Sequence, residues 1–102
     1  MYERRRHERF RILADILIII GKEKINCVAF DVSLGGMSFV SMKPLKLKSA
    51  CEIYIARNQF HRDGTIVSEG AIADKPGMKK YGVQFSVPIS QHQLTLVLEG
   101  LK

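Results

Sequence analysis

Hydrophobic positions along this chain come in short runs, rich in β-branched residues, that alternate locally with polar ones. Ile53 and Ile55 flank Tyr54, and Tyr81, Val83 and Phe85 alternate with Gly82 and Gln84. A period of two marks a strand with one buried face. Strands are therefore predicted at about Ile12–Ile20, Lys24–Val32, Gly36–Ser41, Ala50–Ala56, Phe60–Ala73 and Lys79–Phe85. Turn residues divide them at Gly21-Lys22, Ser33–Gly35, Pro44–Ser49, Asn58 and Asp74-Lys75-Pro76-Gly77. Six strands without an intervening helix exclude a parallel α/β sheet. They favour a mainly β fold, a small six-stranded antiparallel barrel.

The period changes near the C-terminus. Leu94, Val97, Leu98 and Leu101 fall at i, i+3, i+4 and i+7, one apolar helical stripe. Ser90 with Gln93 three positions on has the form of a capping box, and Pro88 suits a helix entry. A short amphipathic helix is expected, its stripe serving either as a lid on the barrel or as a dimer surface. The whole chain of 102 residues reads as one domain. Its parts are a basic arm over 1–11, a barrel over 12–86 and a helix over 88–101.

Composition narrows the class only a little. A chain 46% hydrophobic and 25% charged is ordinary globular material. Cys27 and Cys51 stand apart in apolar runs, outside any C-x-x-C pair, and read as reduced core residues of a cytoplasmic protein. The longest aliphatic stretch, Ile12 to Ile20, contains Asp15 and is too short to cross a bilayer, so no membrane insertion is expected.

Charge changes the picture. Arg4, Arg5, Arg6, Arg9 and Arg11 against Glu3 and Glu8 place half of the net charge of +6 in the first eleven residues. A guanidinium is a planar fork that grips phosphates and base edges bidentately, which lysine cannot do. An anionic partner follows.

Chemistry that turns substrate over finds no support. His7, His61 and His92 show no metal-ligand spacing and no neighbouring cysteine, so no metal site is expected. Ser33 lacks the glycine two residues before it that a nucleophile elbow needs, and no G-K-[ST] follows Gly35 and Gly36. The chain reads as a non-enzyme.

Two clusters remain: Arg4-Arg5-Arg6-His7-Glu8-Arg9, and Asp31-Val32-Ser33-Leu34-Gly35-Gly36 between two predicted strands. Alone, the first could be a solvated tail and the second a hairpin turn. A hairpin of the first two strands, however, returns Asp31 and Ser33 to the end from which the arm emerges. Arginine forks suit phosphates and the O6/N7 edge of guanine. The carboxylate can accept from guanine N1–H and N2–H₂, and bare glycine backbone lets a flat base lie close. This is the composition of a guanine-nucleotide site without a catalytic group.

In these two clusters the sequence resembles the PilZ domains, bacterial receptors for the second messenger cyclic di-GMP. That family carries R-x-x-x-R before the first strand, matched by Arg5 and Arg9. It carries [D/N]-x-S-x-x-G at the second strand's end, matched by Asp31, Ser33 and Gly36, with the frequent extra glycine at Gly35. Tyr81-Gly82-Val83-Gln84-Phe85 resembles its late-strand G-V-x-F signature. The resemblance implies a barrel with a flexible arginine arm and a C-terminal helix. It also implies a non-catalytic receptor whose ligand is held by Arg4, Arg5, Arg6, Arg9, Asp31, Ser33, Gly35 and Gly36. Some members add an aromatic from a later strand that stacks on a guanine, and Tyr81 is a candidate.

An arginine just before R-x-x-x-R accompanies a dimeric ligand in the family, so Arg4 implies two dinucleotides per chain, with no other cofactor. Signalling would pass to an unidentified downstream protein from a monomer or weak dimer. The alternatives are a small basic barrel for single-stranded nucleic acid, or a ligand-free protein-interaction module. The first is disfavoured by an aromatic content of 8% that core packing explains, so no DNA or RNA is expected.

Overall fold

A computed structural model describes residues 8–55 and 60–100 of the chain. Six strands and one helix are present: β1 (Phe10–Ile20), β2 (Glu23–Val32), β3 (Gly36–Ser41), β4 (Ala50–Ile55), β5 (Phe60–Ala71), β6 (Lys79–Phe85) and α1 (Gln91–Gly100). Every pairing is antiparallel, and the sheet closes on itself in the order β1-β2-β3-β6-β5-β4. The barrel is thus two three-stranded meanders joined at two seams. One seam pairs β3 with β6 from Gly36↔Gln84 to Ser41↔Lys79. The other pairs β1 with β4 only from Leu17↔Tyr54 to Ile19↔Glu52.

Alternation decides which residues fill the interior. Ile16 and Ile18 of β1, Cys27 and Ala29 of β2, Met37 and Phe39 of β3, Ile53 and Ile55 of β4, and Tyr81, Val83 and Phe85 of β6 all point inward and are buried. Removing these branched and aromatic side chains from water is the main force holding the barrel closed. Both cysteines are free and buried, as expected. Burial pushes the Cys51 thiol up to about 11, reinforced by the negative Asp63 and Glu52 nearby. Burial also raises Cys27. Both thiols therefore stay protonated at neutral pH.

β1 begins at Phe10, two positions before the start read from the alternation. Phe10 pairs with Val32 and Arg11 with Asp31, after which β1 bulges before Ala14 meets Ala29. Burial nevertheless alternates through the bulge: Leu13, between the half-buried Ile12 and the buried Ala14, faces solvent and is 79% exposed. At the other end, Ser90 and Gln93 cap α1 reciprocally: the Gln93 N–H donates to Ser90 Oγ (3.1 Å) and the Ser90 N–H to Gln93 Oε1 (2.9 Å). Arg62 of β5 donates to the same Gln93 oxygen at 2.8 Å and ties the cap to the barrel wall. Leu94 and Val97 are buried with the barrel core and Leu98 packs against it. The stripe is therefore a lid; its last member, Leu101, lies outside the described residues. No helix among the described residues is long and apolar enough to cross a membrane.

Candidate functional site

The β1–β2 hairpin returns Asp31 to the end of the barrel where the N-terminal arm leaves, and there Arg9 meets it. Arg9 Nη1 donates to Asp31 Oδ1 at 2.7 Å, and the two side chains are 26% and 19% exposed. The same nitrogen lies 3.5 Å from Ser38 Oγ on β3. Two irregularities frame Asp31. The bulge in β1 lies on one side, and on the other the register of β2 on β3 slips between Ala29 and Asp31. Bulges of this kind re-aim a side chain out of the regular ladder.

From this pair a groove of about 420 Å³ runs across β2, β3, β6 and β5. Phe30, Ser38, Ser68, Glu69 and Lys80 line it with Arg9 and Asp31. Glu69 also accepts from Lys79 Nζ at 2.7 Å, which holds the Lys79 ammonium above its ordinary range. Gly82 keeps the floor flat: a Cβ there would stand 2.4 Å from Ser68 Oγ. The groove offers two cations, carboxylates, hydroxyls and the partly exposed ring of Phe30. That inventory suits a phosphate-bearing planar base.

The structure brings Arg9 and Asp31 together as the sequence implies. Arg4, Arg5 and Arg6 lie outside the described residues. Ser33, Gly35 and Gly36 form the adjoining turn and do not line the groove. Ser33 is 4% exposed, and its hydroxyl is engaged within the turn, near the Gly35 N–H (3.3 Å) and the Gly36 carbonyl (3.4 Å). The Ser33 N–H donates to that carbonyl at 2.8 Å. Gly36 is needed for close approach: a Cβ would sit 2.3 Å from the Val83 carbonyl oxygen on β6. The turn is bolted to the C-terminal segment by two main-chain bonds, Phe85 N–H to Gly35 C=O (2.8 Å) and Ile89 N–H to Leu34 C=O (2.9 Å).

Tyr81 does not serve as a stacking platform, and that candidate is corrected. It is 1% exposed, its ring lies 5.8 Å from Phe39 in the core, and its hydroxyl accepts the Leu45 N–H at 2.9 Å. Tyr81→Phe should leave a buried N–H unpaired and cost about 1–3 kcal/mol of stability. Thermal denaturation measures that cost, and ligand affinity is expected to stay unchanged at temperatures where the variant is folded. Of the two aromatic residues lining the groove, Phe30 and Tyr81, only Phe30 is partly exposed. Nothing in local sequence flagged it, nor Ser68, Glu69 and Lys80, because they converge only through the β2–β3–β6–β5 pairing.

The PilZ domain family model matches residues 3–101. A search of curated proteins finds no match. Among solved structures, the chain is similar to the Bacillus subtilis inhibitor of motility MotI/DgrA, at 19% identity and a TM-score of 0.74. That match covers 96% of this chain and 49% of that one. It is similar to the PilZ domain with c-di-GMP of YcgR from Escherichia coli, at 21% identity and a TM-score of 0.71, covering 97% and 92%. It is also similar to Escherichia coli YcgR in complex with c-di-GMP, at 19% identity and a TM-score of 0.69, covering 97% and 46%. The chain thus spans about half the length of MotI/DgrA and of YcgR. The likenesses establish a shared fold.

Proposed function

This chain belongs to the PilZ domain family, and from that premise we propose that it is a non-catalytic, cytoplasmic receptor for cyclic di-GMP. The observation that carries the reading is the Arg9–Asp31 pair at 2.7 Å at the mouth of the groove. Arg9 presents a fork to a phosphate or to guanine O6/N7, while Asp31 both orients that fork and offers an acceptor to guanine N1–H and N2–H₂. Arg4, Arg5 and Arg6 supply further forks from the arm. Ser33, Gly35 and Gly36 hold the turn that sets Asp31 and the groove's end. Phe30 offers a ring to a base. The response passes to a downstream protein through the rearranged arm and the barrel face beside it.

Calorimetric titration of the purified chain with cyclic di-GMP tests the reading: saturable binding at micromolar or tighter affinity is expected, and no heat above buffer would sink it. Single-stranded DNA at about 0.15 M salt should not compete, because a polymer's binding draws on counterion release that salt weakens, and a compact dinucleotide's far less. Four arginines can balance two stacked dinucleotides whose like charges otherwise repel. Native mass spectrometry of the saturated complex is expected to show two ligands per chain, and Arg4→Leu to shift the ratio toward one. A wild-type mass with a single ligand would defeat this stoichiometry.

A further inference from the structure

Away from the groove, the outer face of β4 and β5 assembles three potential ligand atoms, two from His61 and Asp63 of β5 and one from Glu52 of β4. Glu52 and Asp63 are direct cross-strand partners, and Tyr54 stands opposite His61. Alternation puts all four on the solvent side, while Cys51 and Ile53 point inward. Two carboxylates facing each other across a strand pair repel. Here His61 Nε2 lies 3.5 Å from Glu52 Oε1 and 3.7 Å from Asp63 Oδ1, and the three ligand atoms fall within 4.8 Å of one another. A tetrahedral ion bound to nitrogen and oxygen at about 2.0–2.2 Å spaces its ligand atoms about 3.4 Å apart. The imidazole nitrogen already stands near that spacing from each of the two oxygens.

A second feature, outside the ligand set, fixes their orientation. The Tyr54 ring stacks on His61 with centroids 4.3 Å apart and an angle of 6° between planes. Its hydroxyl donates to Glu52 Oε1 at 2.8 Å. One residue therefore holds both the imidazole plane and a carboxylate, the part that outer residues play around bound metal ions.

We propose that Glu52, His61 and Asp63 bind one divalent cation of the zinc type. One imidazole beside two carboxylates favours zinc over magnesium or calcium, which prefer oxygen alone. Three protein ligands leave the fourth position to water. Nothing in this proposal depends on what occupies the groove.

The full chain is titrated with zinc sulfate in a phosphate-free, chelator-free buffer, by calorimetry and by thermal melting. One zinc per chain is expected, with a raised Tm. His61→Ala should weaken binding at least about tenfold and abolish the Tm rise, and Asp63→Asn should weaken it as well. Tyr54→Phe, which keeps the stack and loses the hydroxyl, should weaken it about tenfold. His92→Gln should change nothing, and cyclic di-GMP affinity should be untouched by His61→Ala. Because the three side chains are solvent-facing, circular dichroism of each variant should match wild type. Absence of zinc binding, magnesium binding as tight as zinc, or zinc binding retained in a folded His61→Ala variant would each overturn the proposal.

Discussion

Replacing Arg9 with alanine is expected to weaken cyclic di-GMP binding tenfold to a hundredfold or more while leaving the barrel folded. A charge-assisted bidentate contact is worth roughly 1.5–3 kcal/mol, which sets the range. The loss has two sources. The fork facing the ligand disappears, and Asp31, with its side chain 19% exposed, is left as an uncompensated negative charge beside incoming phosphates. Arg9→Lys should fall between wild type and alanine, because a point charge restores the attraction but not the paired hydrogen bonds. The effect on folding should be small, about 1 kcal/mol or less, since the Arg9–Asp31 pair is partly solvated. Calorimetry gives the affinity and thermal denaturation the control. Wild-type affinity in Arg9→Ala would remove the pair from the site.

Gly36→Ala should produce the largest loss of stability among changes in the turn. The added methyl would stand 2.3 Å from the Val83 carbonyl oxygen, and that oxygen belongs to backbone inside the β3–β6 seam. No side chain can rotate away, so β3 must separate from β6 where Gly36 pairs with Gln84. Overpacking of this kind costs about 1–3 kcal/mol, occasionally more. For a domain of this size each kcal/mol lowers Tm by roughly 4–8 °C. A melting curve within a degree or two of wild type would show that the seam is loose at this point. The comparison with Arg9→Ala separates the motif's two duties. One residue is expected to hold ligand and the other to hold the turn.

Much of the architecture can be read from the chain because the signals are local. Branched residues at period two, Gly and Pro breaks, and the Ser90–Gln93 cap each act within a few positions; among the described residues the six strands end within two residues of the bounds read from them, and the cap is present. The meeting of Arg9 with Asp31 is also legible, since a tight hairpin fixes which residues return to which end. What the pattern within one segment does not carry is how it pairs with another. The start of β1 at Phe10 is set by its partner Val32, not by its own period. The inward turn of Tyr81 depends on Phe39 and on the Leu45 amide, both far away in sequence. His61 and Asp63 share a face of β5 by alternation, but Glu52 joins them only through the β4–β5 register.

The two bonds from the turn to the C-terminal segment run between Phe85 N–H and Gly35 C=O and between Ile89 N–H and Leu34 C=O, main chain to main chain. No side chain takes part, so exchanging the residues at these positions leaves the donors and acceptors in place. Only proline at 85 or 89 would delete a donor. Substitution elsewhere can repaint the outer surface of the turn and of α1 without severing the connection beneath. The link itself is carried by the backbone, so it persists through exchange of the side chains on either side of it.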